Sequence, residues 1–216
     1  MKEIYVDTEF TGLRKDATLI SIGLISKDYR TFYAEFNDYD ESQVNDWIRE
    51  NVLSHLTMKA PGPGEEEPYR AIRHEDNLDN PNIFSMYNVE MRGNKYEISH
   101  EMVKWLSQFN DDIIFVLDVG FYDFVLIRDM FNNDLPKFIG STYIDINDDV
   151  SYYYRANVHD AFNIDREKVV RDLIEELSPD SDVDKFNKFR NKWPHKHNAL
   201  ADAHSCMFIH QCISDM

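Results

Sequence analysis

The chain has 216 residues, 43% of them hydrophobic, enough for the core of one domain that carries an insertion. Twenty-three Lys and Arg stand against 40 Asp and Glu, a net charge of −17, which disfavours any partner held by broad phosphate neutralisation, such as long duplex DNA or an anionic membrane. No apolar run approaches the length of a bilayer-spanning helix and the first residues carry no signal-peptide pattern, so no membrane partner is expected.

The first element in chain order is a strand over residues 4–10, Ile-Tyr-Val-Asp-Thr-Glu-Phe, broken by Thr11-Gly12. Side chains alternate along a strand, so Tyr5, Asp7 and Glu9 share one face while Ile4, Val6 and Thr8 share the other. Two acids on one face repel, and partial burial makes the repulsion worse. A pair of divalent cations with hard oxygen ligands relieves it; two solvated acids on a strand leaving the core are the alternative. Residues 18–26 and 31–36 read as two more strands joined by a turn, completing an antiparallel meander. Ser42 caps an expected helix to about residue 53, with Val44, Trp47, Ile48 and Val52 on its apolar side. From about 57 to 97 the pattern dissolves around Pro61-Gly62-Pro63-Gly64, and the stretch reads as an irregular insertion.

Helical spacing returns at 99–109, with Ser99 as cap. Residues 113–117 form a short apolar strand of the kind buried on both faces. Residues 121–131 resume as helix, 138–146 as one more strand, and 166–177 as an amphipathic helix. A last helix spans about 198–213. Its cysteines, Cys206 and Cys212, lie about 9 Å apart at helical rise, too far for a disulfide; reduced thiols in a cytoplasmic protein are expected. A strand meander followed by alternating helices and strands is an α/β pattern, a mixed sheet with helices on both faces.

Three sites can converge on that sheet. The first is Asp7 with Glu9. The second is Asp123, in the first turn of a helix directly after a buried strand, where the helix dipole favours a carboxylate; Asp118, at the strand's end, competes for the same role. The third is His197 with Asp202. Were both helical they would point about 140° apart, so His197 is placed in the loop before the helix, Asn198 at its cap and Asp202 in its first turns. Ala199, Ala201 and Ala203 let that helix lie close against a sheet. His159-Asp160 lacks an Asp at the matching offset and is set aside.

Together, Asp7-x-Glu9, Asp123 and His197-x4-Asp202 resemble, in type and order, the motifs of the DEDD superfamily of 3′-to-5′ exonucleases, in its histidine branch (DEDDh). Three stretches, Asp7-Thr8-Glu9-Phe10, Leu19-Ile20-Ser21-Ile22-Gly23 and Gly120-Phe121-Tyr122-Asp123, are similar to a small bacterial and phage group of 3′-to-5′ exoribonucleases. The resemblance covers most of the chain outside about 57–97. It implies a ribonuclease-H-like (DnaQ-like exonuclease) fold, a mixed sheet of five to six strands flanked by helices, in a single exonuclease domain over 1–216. It also implies two divalent cations, Mg²⁺ or Mn²⁺, about 3.5–4 Å apart, with Asp7 bridging, Glu9 and Asp202 on the nucleophile side and Asp123 on the other. By the same resemblance His197 is the general base, Phe10 and Leu13 lie beside the terminal nucleotides, and the products are nucleoside 5′-monophosphates.

One feature stands apart from the resemblance. Residues 185–201 hold Lys185, Lys188, Arg190, Lys192 and Lys196 and no acid. A basic island leading to His197 reads as a phosphate approach, with Phe186, Phe189 and Trp193 stacking bases; a charge-balancing loop with its aromatics on the core is an equal alternative. The expected partner is the 3′ end of single-stranded RNA or a short overhang, and a homodimer is left open. A 3′-to-5′ deoxyribonuclease can use the same residues, since the choice of RNA rests on contacts to the 2′-hydroxyl. A non-catalytic RNA-binding protein that keeps the fold is the second class, and the complete set of acids with His197 favours the enzyme.

Overall fold

The computed structural model describes residues 1–73, 87–177 and 181–216. β1 (Lys2–Phe10), β2 (Leu19–Ser26) and β3 (Thr31–Phe36) form the expected meander, each antiparallel to the next. β4 (Tyr69–Arg73), β5 (Tyr87–Gly93), β6 (Ile113–Leu117) and β7 (Ile139–Asp145) complete a mixed sheet of order β4-β5-β3-β2-β1-β6-β7. β6 runs parallel to β1 and to β7, and β5 parallel to β3.

The sheet therefore has seven strands, not five to six. The additional pair, β4 and β5, comes from the stretch read as irregular. Their sequences, Tyr-Arg-Ala-Ile-Arg and Tyr-Asn-Val-Glu-Met-Arg-Gly, mix polar with apolar residues, as suits strands at the margin of a sheet, and hold no apolar run. The middle of that expected insertion, residues 74–86, lies outside the described residues.

Helices cover both faces: α1 (Asp46–Asn51), α2 (Lys95–Ser107), α3 (Phe121–Met130), α4 (Asn147–Tyr154), α5 (Val158–Phe162), α6 (Arg166–Leu177), α7 (Ser181–Lys192) and α8 (Ala199–Ser214). Two caps differ from expectation. Asp40 starts a 3-10 turn over Glu41–Gln43, and α1 begins later, with Asn45 accepting from the Ile48 N–H. α2 begins at Lys95 because Asn94 and Glu97 form a reciprocal capping box, which leaves Ser99 inside the helix with its hydroxyl on the Tyr96 carbonyl. The alternation of β1 divides the core as expected: Tyr5 packs with α4, α6, α7 and α8, whereas Ile4 and Val6 pack with α2 and α3.

α8 packs on β1 and β2, with Ala199, Ala201 and Ala203 fully buried. Its close approach also depends on the strand: a Cβ at Gly23 would lie 2.3 Å from the Leu200 nitrogen and 2.4 Å from the Ala199 carbonyl carbon. Asn198 fixes the helix start. Its side-chain oxygen accepts from the N–H groups of Leu200 and Ala201, and its amide donates to the Tyr33 hydroxyl and the His55 carbonyl, both at 3.2 Å. Buried Glu35 in turn accepts from the Tyr33 hydroxyl and from the N–H groups of Thr57 and Met58, which pins the chain after α1 to β3.

Gly23→Ala is expected to destabilise the protein by more than the ~1–3 kcal/mol of ordinary overpacking, because its neighbours are backbone atoms that cannot turn away. A thermal melt measures this; an unchanged midpoint would show that α8 is not seated directly on β2.

Candidate active site

Asp7 and Glu9 lie on the α8 face of β1, and Thr8 between them faces α3. The Thr8 N–H and hydroxyl donate to Asp123 Oδ1 at 3.1 and 2.6 Å, so the strand itself orients the acid of the neighbouring helix. Asp123 stands in the first turn of α3, after a tight corner. There Val119 takes φ 51°, a left-handed value that costs a β-branched residue ~1–3 kcal/mol. The Asp145 carboxylate holds the corner by accepting from the N–H groups of Val119, Gly120 and Asn147.

Asp118 has a cation of its own. Arg166 donates to both its oxygens at 2.7–2.9 Å, and the remaining donors of that guanidinium reach the Ala161 and Ile164 carbonyls and Asn147 Oδ1. Among the described residues Asp7 and Glu9 form no ion pair with Lys or Arg. Glu9 instead meets His197, Nδ1 to Oε1 at 3.9 Å. His197 lies in the loop before α8 with φ 61°, and its N–H donates to Asp202 Oδ2 at 2.8 Å. Trp47, expected on the buried side of its helix, is 54% exposed and sets its ring edge-on to His197 at 5.1 Å. Glu9, His197 and Asp202 each offer a ligand atom within 4.8 Å of the others.

Burial dominates the electrostatics. It holds the Asp7 carboxyl well above its ordinary range, and Asp123, Asp202, Glu9 and Asp118 push it further. Glu9 is raised by burial and then by Asp202 and Asp123. Burial pushes Asp202 up to about 7, against the His197 N–H and Arg190. It pushes Asp123 up to about 6, against its bonds from Thr8. His197 moves down, through burial and the nearby Lys196 and His55, which favours its uncharged imidazole. Crowded carboxylate oxygens with one imidazole, and with no Lys or Arg paired to Asp7 or Glu9 among the described residues, form a donor set that suits a hard divalent ion.

The remaining expected residues fall in varied places. Phe10 is half-buried and stacks on Tyr122 (centroids 5.9 Å apart, planes 11° apart), while Leu13 is 75% exposed. The basic island is largely helical: α7 carries Val183, Phe186 and, just beyond it, Trp193 into the core, with Phe189 packed against them. Those rings are therefore core side chains, not base-stacking platforms, and their spacing of three and then four residues is that of a helix face. Arg190 is bound to Glu167 at 3.0 Å and to Ser205 at 3.1 Å. Lys192 and Lys196 stay at the surface in long ion pairs with Glu90 and Asp165, at 3.8 and 3.7 Å. Among the described residues Cys206 and Cys212 are buried and in no disulfide, and no helix is long and apolar enough to cross a membrane. Thr8, Asp145 and Arg166, which order the site, gave no sequence signal; each acts through a partner distant along the chain.

No family model matches the chain. Over 56 residues, 26% of the chain, it is 36% identical to a 3′-5′ exoribonuclease of Mycobacterium tuberculosis, in each of two strains. The match spans 33% of that protein's length.

Carboxyls raised in the folded state keep protons that the unfolded chain releases, so each removes stability as pH climbs from the ordinary carboxylate range through its folded value; for Asp202 that value is about 7. In chelator, Asp7→Asn is expected to melt higher than the parent, with a gain that grows as pH climbs above the ordinary carboxylate range. Excess Mg²⁺ should reverse the order. Identical melting curves for the two proteins over that climb would show that the acids do not strain the metal-free state.

Proposed function

We propose that the protein is a metal-dependent 3′-to-5′ exoribonuclease of the histidine-type DEDD class, releasing nucleoside 5′-monophosphates from single-stranded RNA or short 3′ overhangs. The observation that carries this reading is the grouping of Glu9 and Asp202 with His197, next to Asp7, which feels the charges of Glu9, Asp123 and Asp202, with no Lys or Arg paired to Asp7 or Glu9 among the described residues. The four acids would hold two Mg²⁺ or Mn²⁺ ions, which when bound set positive charge against the scissile phosphate and acidify the attacking water.

The chain's own groups do the rest. His197 takes the proton of the attacking water on a ring nitrogen. Its N–H bond to Asp202 anchors the loop that carries it, and Trp47 flanks the ring. Thr8 orients Asp123. Phe10 and Leu13 flank the terminal nucleotides. Lys192 and Lys196 exchange their long, exposed ion pairs for RNA phosphates at little cost, since such pairs are worth ~0–1 kcal/mol. Arg190, tied to Glu167 and Ser205, acts from beneath Asp202 rather than as a free phosphate contact. RNA is preferred over DNA as the substrate because the partial match is to an exoribonuclease and the motif stretches resemble that group.

End-labelled RNA and DNA strands, with free or phosphate-blocked 3′ ends and with or without Mn²⁺, test the reading directly. The expected result is stepwise release of 5′-mononucleotides from free 3′ ends of RNA, only with metal. His197→Ala should slow it by ~10²–10⁴ while calorimetry shows metal affinity retained. Faster degradation of DNA would make the protein a deoxyribonuclease, and RNA binding without hydrolysis would make it a non-catalytic RNA-binding protein.

Neutralising Lys192 and Lys196 together should raise KM and flatten its salt dependence, by ~0.7 in the slope of log K against log salt for each phosphate that no longer meets a lysine. An unaltered slope would assign both lysines to the solvated surface.

A further inference from the structure

We infer that His55 is a positioning residue for His197: its ring holds the loop of the proposed base in place through a stack on His195, an inference that rests on the exonuclease reading. The loop leaves the core at Trp193, buried against Tyr33 with ring centres 5.2 Å apart, and returns to it at Asn198. Between them Pro194, His195 and Lys196 are exposed. The rings of His55 and His195 lie 4.7 Å apart and 8° from parallel. His55 ends a 3-10 turn, Leu53–His55, and its N–H donates to the carbonyl of buried Val52 at 3.0 Å. Two residues on, the Thr57 N–H donates to buried Glu35. The ring therefore stands on a support that is anchored on both sides.

The same segment reaches the base itself. Trp47 meets His197 edge-on at 5.1 Å, so residues 47–55 touch two alternate residues of the loop, His195 and His197. The loop needs such a hold. His197 has φ 61°, which a non-glycine residue keeps only where its surroundings enforce it. Its N–H is bound by Asp202, yet on the exonuclease reading Asp202 also serves a metal ion, and the ring contacts are the hold that metal leaves alone. His55 keeps its place at a cost, since its Nδ1 is buried with no hydrogen-bond partner among the described residues. An aliphatic side chain would fill the space without that cost, but it offers no flat face to His195. The His55 carbonyl also accepts from Asn198, and a change of side chain leaves that bond to the start of α8 intact, so substitution isolates the ring.

The test compares wild-type protein with His55→Leu and His55→Phe, alone and combined with His197→Ala, on a short RNA with Mg²⁺. His55→Leu should lower the single-turnover cleavage rate about two- to tenfold, the worth of one aromatic pair. Its RNA affinity and its metal affinity should stay at the wild-type values, while amide exchange at 195–197 quickens. His55→Phe, which keeps a flat face, should restore both rate and protection. In the His197→Ala background His55→Leu should cost nothing further, because the ring acts through the base. Equal losses in both backgrounds, or a His55→Leu protein that keeps its rate and its protection, would overturn the inference and leave the exonuclease reading intact. A wild-type protein that cleaves no RNA would remove the exonuclease reading, and amide exchange then decides alone. Quickening at 195–197 in His55→Leu but not in His55→Phe would uphold the hold on the loop, and unchanged exchange would remove it.

Discussion

Carboxylates that must share a desolvated place, with no Lys or Arg paired to Asp7 or Glu9 among the described residues, set the terms for this structure. Burial is the leading cause of the raised protonation of Asp7, Glu9, Asp123 and Asp202, and at Asp7 the other acids add to it. A fold tolerates such crowding only when each acid has some compensation nearby. Asp123 has two donors from Thr8, Asp202 has the His197 N–H, and Asp118 has Arg166. Asp7 and Glu9 are left with the weakest compensation. Asp118, with a cation of its own, serves the fold, whereas on the proposed reading the other four stay available to a ligand.

The compensating groups come from different elements, so the site needs those elements in register. Asp202 reaches Asp7 because α8 rests on β2 at Gly23, and because Asn198 ties its first turn to β3 and to the His55 carbonyl. Two residues beside the site take left-handed backbone angles without being glycine, Val119 and His197. Each is held by a carboxylate: Asp145 accepts the Val119 N–H and Asp202 accepts the His197 N–H. Local strain next to the acids is thus secured by further acids, and the loop of the proposed base moves only if a proposed ligand lets go.

Much of this was legible because it is local. The two-residue period of β1 puts Asp7 and Glu9 on one face with Tyr5, and the Asn198 cap separates His197 from the helix of Asp202. What escaped is of two kinds. The sequences of β4, β5 and α7 interleave charged or polar residues with apolar ones, and in α7 the run of lysines masks the helical spacing of Val183, Phe186 and Phe189. The other kind is long-range: Thr8 and Asp123 are 115 residues apart, Asp118 and Arg166 are 48 apart, and no periodicity of either segment announces the partner. Arg190 shows both failures at once, since a basic residue in a basic run looks free until Glu167 and Ser205 appear beside it.

The charge distribution also bears on how a polyanion could be accepted at all. Every phosphate entering the cleft adds negative charge to a place already short of cations, so entry has to be coupled to metal or to groups that carry no net charge. Burial favours the uncharged form of His197, Trp47 beside it is an uncharged ring, and Lys192 and Lys196 are held only by long surface pairs. On the proposed reading, recognition then falls mainly to the metal ions, with a short electrostatic approach. A duplex brings two phosphate backbones to that place, while a frayed or single-stranded 3′ end brings one. On that reading, the same acidity that makes the carboxylate cluster costly to fold narrows the proposed substrate to chain ends.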